Sequence, residues 1–96
     1  MVRFSILFAI IAAPALAQDK EALCENSARV VNAVVLERAA GASKKKAVRR
    51  VVRSLEGDLA AFKEAVPPLA DWVYTLPEEQ LTDEPAAAYK ATCLAN

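Results

Sequence analysis

From about Asp19 onward, apolar residues recur at three- and four-residue steps rather than alternating, which is the period of amphipathic helices. Cys24, Ser27, Val31, Val34 and Val35 fall on one stripe, while Lys20, Glu25, Arg29, Asn32 and Glu37 lie mostly away from it. The spacing predicts a first helix from about Asp19 to Ala40, with Asp19 and Glu21 suited to its positive end. Gly41 fits the position after a helix, because it accepts the left-handed conformation without a Cβ penalty. Ser43 can cap the helix that follows. Gly41-Ala42-Ser43 therefore reads as a stop and restart between two antiparallel helices.

The next stripe, Val48, Val51, Val52, Leu55, Leu59 and Phe62, predicts a second helix from about Lys44 to Ala65. Gly57 lies within it and costs about 1 kcal/mol relative to alanine; it marks a close helix contact, a bend, or a tolerated weak spot. Pro67-Pro68 is expected to end this helix, since the residue before a proline avoids the helical region. The same prolines can open a third helix, where the first turn needs no N–H. Leu69, Trp72, Val73 and Leu76 form its expected inward face, and Pro77 stops it. Glu78 to Leu81 fits one further turn. A fourth helix is expected from Thr82 or Asp83, with Pro85 in its first turn. Ala86, Tyr89 and Cys93 then share a face that points Cys93 at the core and at Cys24. The fold class is all-α: a small bundle of about four helices, one of them short, with no strand-and-turn signal.

Before Asp19 the pattern is different. Arg3 precedes an apolar run from Phe4 to Ala13, then Pro14, and Ala15-Leu16-Ala17 fits the small-x-small rule for leader removal. Residues 1–17 are expected to be a signal peptide, cleaved between Ala17 and Gln18, and residues 18–96 a single helical domain. A membrane span needs about 20 apolar residues, whereas Phe4 to Ala17 is fourteen. A lipoprotein would carry cysteine where Gln18 stands. The expected product is periplasmic or secreted.

Export changes the reading of the cysteines. Only Cys24 and Cys93 occur, and in an oxidising compartment an even count reads as a disulfide. Joining the first and last helices closes a loop whose entropy corresponds to about 4 kcal/mol. The rival, a redox-active pair, normally keeps its cysteines two residues apart. Loss of Arg3 with the leader leaves 11 cations against 12 acids, a net charge of −1. There is thus no overall bias toward nucleic acid.

Charge is concentrated locally instead. Lys44, Lys45, Lys46, Arg49, Arg50 and Arg53 fall within ten positions. Most of them centre opposite the Val48–Val52–Leu55 stripe, near a helix N-terminus where the dipole disfavours cations. Lys45, Lys46, Arg49, Arg50 and Arg53 are the candidate surface for an anionic partner: lipid headgroups, lipopolysaccharide or an acidic protein; the rival is an ordinary solvated face. Nucleic acid is excluded as a partner by export and by the lack of interleaved aromatics. Trp72 and Tyr74 differ by two positions and cannot both face inward, so one is core and the other a candidate aromatic anchor for a partner. Asp71 beside them is either a buried or an exposed acid.

Enzyme chemistry finds little support. The chain has no histidine, and the disulfide removes both thiols, so Ser-His, Cys-His and imidazole-metal sites are all excluded. Glu78, Glu79, Asp83 and Glu84 fit no calcium loop and read as helix-start charges. No catalytic residue, metal ligand set or cofactor is expected.

Cys24, the run Arg38-Ala39-Ala40-Gly41-Ala42-Ser43, then Trp72-Val73-Tyr74 with Pro77, and finally Cys93 form a pattern spanning most of the mature chain. It resembles small exported helical two-cysteine proteins of unknown function from proteobacteria, which implies location and fold but no activity. In architecture alone the chain is also similar to periplasmic acid-stress chaperones of the HdeA type, with no shared motif. The leading functional expectation is a non-catalytic exported module that binds a protein or envelope component. The alternatives are a peripheral binder of anionic membrane surfaces through the basic helix, and a periplasmic stress holdase. No motif encodes the partner's identity or the oligomeric state.

Overall fold

A computed structural model describes the chain from Val2 to Asn96, with side chains from Asp19 onward. Four α-helices follow one another: α1 (Val2–Ala39), α2 (Lys44–Ser54), α3 (Val66–Val73) and α4 (Glu84–Ala95). Two 3₁₀ segments, Gly57–Ala65 and Glu78–Gln80, lie between them, and no strand occurs among the described residues. The expected leader, residues 1–17, and its cleavage point lie outside the residues with described side chains. From Val2 the backbone is helical, so α1 begins well before the expected Asp19.

α1 is the spine of the bundle. Cys24, Ser27, Val31, Val34 and Val35 are all buried, as their spacing requires, and Ala28 and Val30 widen the stripe. Four of these positions, Val30, Val31, Val34 and Val35, are valines with essentially no exposure. Each fully buried valine contributes about 1.5 kcal/mol or more before entropy is counted. Ser27 is the one buried polar residue described. Its hydroxyl donates to the Leu23 carbonyl at 2.8 Å, so the stripe carries no orphaned donor.

The turn after α1 closes in the expected way. Gly41 has φ +95°. The Ala42 N–H donates to the Glu37 carbonyl and the Gly41 N–H to the Arg38 carbonyl, at 3.0 and 2.9 Å. This crossed pair satisfies the last carbonyls of α1. The Lys46 N–H then donates to Ser43 Oγ at 3.2 Å, which caps α2. α2 buries Ala47 and Val51, with Leu55 just beyond its end, and Val51 and Leu55 join the valines of α1 in the core.

The expected second helix is overturned after Ser54. Ser54 Oγ donates to the Val51 carbonyl at 2.7 Å, Leu55 and Glu56 are extended, and Gly57 has φ +58°. A Cβ at Gly57 would meet nothing within 4 Å. Its role is therefore the bend, through a conformation that other residues rarely adopt, and not a close contact. Residues 57–65 then wind as a 3₁₀ helix, on which positions three apart align. Leu59, Phe62 and Ala65 have that spacing and are all half-buried.

Pro67-Pro68 opens the third helix as expected, but no break in the helical backbone precedes it. The 3₁₀ segment runs straight into α3, with both prolines in its first turn. Val66, which precedes Pro67, is helical (φ −61°, ψ −47°) and fully buried. Core packing of its side chain outweighs the usual preference of a residue before proline. Val66, Ala70 and Val73 form the inward face of α3, with Leu69 and Leu76 half-buried. Trp72, expected on that face, stands at its edge with 36% of its surface exposed.

α4 begins after Asp83, with the Glu84 N–H donating to Thr82 Oγ1 at 3.1 Å and Pro85 buried in its first turn. It runs along α1 through Ala86, Tyr89 and Cys93. Cys93 forms a disulfide with Cys24, their Cα atoms 5.6 Å apart.

Candidate functional site

The cationic residues of α2 divide into two groups. Lys44 pairs with Asp71 of α3 at 2.9 Å, and Arg50 pairs with Glu37 of α1 at 3.1 Å. These two flank the buried side of the helix, so each reaches a neighbouring element. Lys45, Lys46, Arg49 and Arg53 project away from Ala47 and Val51, are all exposed, and make no ion pair among the described residues. At 1.5 Å per residue, positions 45 to 53 form a row about 12 Å long. Of the five residues read from the sequence as a candidate anionic-partner surface, four share this open face and Arg50 is held at its edge.

The aromatics also separate. The Tyr74 hydroxyl donates to the Ala42 carbonyl at 2.6 Å, and the ring is half-buried. Burial pushes its phenol above the ordinary value, an effect that Arg38 opposes and Glu37 supports. Trp72 is the aromatic that meets solvent. Its ring lies 6.1 Å from that of Tyr89, tilted by 41°. With Leu76, Gln80, Glu84, Pro85 and Ala88 it lines a shallow groove of about 180 Å³. Asp71 is exposed and belongs to the ion pair with Lys44.

Arg38 was invisible as a functional or structural residue from sequence. Its Nη1 donates to the carbonyls of Val73 and Leu76, both at 2.6 Å, which places a cation and a donor at the C-terminal end of α3 and the turn after it. The guanidinium also sits over Tyr74, 5.4 Å from the ring centre, within cation–π range. The Arg38-to-Ser43 run and the Trp72-Val73-Tyr74-Pro77 run are thus brought together in space. Arg38 and Ala42 of the first hold Val73, Tyr74 and Leu76 of the second. A basic residue one turn before a helix-ending glycine is the only local signal; the partner carbonyls carry none.

The acids are dispersed. Glu78, Glu79, Asp83 and Glu84 are exposed around the start of α4. Glu25 accepts from Lys90 at 2.7 Å across the α1–α4 seam. That hydrogen bond, with the attraction of the charges, holds the Glu25 carboxyl below its ordinary range and lifts the Lys90 ammonium. Among the described residues no three acidic or sulfur side chains converge as metal ligands would.

Fold and surface together define an all-α bundle with one disulfide, a cationic helix face and a solvent-facing tryptophan. No family model, curated protein or solved structure matches the chain. A disulfide suggests an oxidising compartment. No helix among the described residues is long and apolar enough to cross a membrane.

Proposed function

We propose that the protein is an exported, non-catalytic binding module that engages a protein or other envelope component. Export is supported by Arg3, the apolar run and Ala15-Leu16-Ala17 at the start of the chain, and by the disulfide between Cys24 and Cys93. The observation that carries the binding reading is Trp72. Its indole lies partly in solvent beside the groove of Leu76, Gln80 and Pro85, while Arg38 and Tyr74 fasten the end of its helix. A large amphipathic ring held on a rigid element is the usual energetic anchor of a partner surface. In this reading the disulfide keeps α4, which supplies the far wall of the groove, against α1.

Two measurements test it. Protein isolated from the envelope of the producing cell should start at Gln18 and be oxidised by intact mass under non-reducing conditions; a chain with Met1 and two free thiols overturns export. A photo-reactive side chain introduced at Gln80 should crosslink one discrete species in that envelope, and Trp72→Ala should abolish the crosslink while the Cys24–Cys93 disulfide stays formed. A crosslink that ignores Trp72→Ala removes the groove as the binding site.

A further inference from the structure

We infer that α2 docks the protein onto the anionic phospholipid surface of a membrane, through the face formed by Lys45, Lys46, Arg49 and Arg53. The inference goes beyond the binding reading, which stands on the Trp72 groove, and assigns a second surface on α2; it rests on that reading only for export to the envelope.

The charges are arranged for an external partner. α2 carries six cations, and the fold neutralises only the two at its flanks, Lys44 with Asp71 and Arg50 with Glu37. The four between them are exposed and turned away from the core. The next acids along the chain, Glu56 and Asp58, flank the bend at Gly57 and make no ion pair with the row among the described residues. The first turn of α2 holds three lysines and no acid, although the helix dipole disfavours cations there. The face is also fixed in place: Ser43 caps the helix, and Ala47, Val51 and Leu55 anchor its other side.

Charge alone does not choose between a lipid and an acidic protein. Protein interfaces gain most of their energy from a buried apolar or aromatic centre, with charges at the rim. Among the described residues the exposed large apolar side chains are Leu23, Leu36, Trp72 and Leu94, on α1, α3 and α4. None interrupts the α2 row. A surface of cations without an apolar centre suits a headgroup layer, which attracts each Lys or Arg near it and requires no shape complementarity. Lys45, Arg49 and Arg53 recur every fourth residue and so stand one above the other along the helix, which lets them reach one plane together.

Co-sedimentation of the oxidised protein, with its N-terminus checked by mass, tests the assignment. Vesicles rich in phosphatidylglycerol should bind it at low salt, vesicles of phosphatidylcholine alone should not, and physiological salt should weaken binding. Lys45→Gln, Arg49→Gln and Arg53→Gln together should lower the partition constant on the order of 100-fold, about fivefold for each cation removed. Removing Lys44 and Arg50 instead, as Lys44→Gln with Arg50→Gln, should change it by less than about fivefold. The single variant Arg49→Gln gives the same answer on a smaller scale if the triple variant misfolds. Equal loss from the flank and face variants overturns the face. Absence of binding to anionic vesicles, with retention on polyglutamate, overturns the lipid and transfers the face to an acidic protein. Binding that ignores headgroup charge, by the chain that starts at Gln18, overturns the assignment.

Discussion

α2 and α4 both lie against α1, and they are held there by different means. α2 packs through Ala47, Val51 and Leu55, all buried, with Val48 and Val52 half-buried beside them. α4 runs along α1 through Ala86, Tyr89 and Cys93, yet Pro85 is its only buried residue. Ala86 and Tyr89 are half-buried, and an exposed ion pair such as Lys90–Glu25 adds little. What secures α4 is the bond from Cys93 to Cys24, whose own position on the α1 stripe is fully buried. One helix is thus retained by apolar area and the other by a crosslink. A domain this small has too little core to hold every helix by burial alone.

The largest expected effect follows from the crosslink. Cys24→Ser with Cys93→Ser should lose about 4 kcal/mol of unfolding free energy, from loop-closure entropy, measured by urea unfolding beside the oxidised protein. On the other side of the comparison, Val51→Ala should cost about 2 kcal/mol in the same assay, and should do so whether or not the disulfide is present. If the two losses fail to add in the combined variant, the two docking modes are coupled and the distinction between them is weaker than stated.

Smaller effects sharpen it. Gly57→Ala should cost about 1 kcal/mol, since the residue is held at φ +58° and the added methyl meets no neighbour. A stabilising Gly57→Ala in thermal unfolding would mean that the helix of α2 continues through the bend. The smallest effect belongs to Glu25 and Lys90. The folded Glu25 pKa is lowered, so its contribution is present above the ordinary value of 4.5 and is lost as pH falls below that through the folded pKa. Lys90, raised above 10.5, keeps its contribution below that value and loses it as pH rises through the folded pKa. A slight acid-side fall in Tm should therefore disappear in Glu25→Gln; an unchanged pH profile in that variant assigns the fall to other carboxylates.

Much of the framework is legible in the sequence because it is local. The stripe from Cys24 to Val35 follows from helical period, the turn from the chemistry of Gly41 and Ser43, and the crosslink from there being two cysteines only. The end of α2 is not legible in that way. Leu59 and Phe62 are three apart, a spacing shared by α and 3₁₀ helices, so the stripe looks continuous where the backbone changes. Val66 shows tertiary packing overriding a local rule. At the candidate surfaces the limitation is distance along the chain. Trp72 and Tyr74 are equivalent by spacing, and the Ala42 carbonyl decides between them. Six cations look alike until Glu37 and Asp71, from other helices, neutralise two. Arg38 is explained only by the carbonyls of Val73 and Leu76 and the Tyr74 ring.

Hydrogen exchange on the oxidised and reduced protein, read helix by helix, tests the contrast between α2 and α4 most directly. Reduction should release the amides of α4 toward unprotected rates while α2 and the valine stretch of α1 keep most of their protection. Uniform loss across all four helices, or unchanged protection of α4, would contradict it.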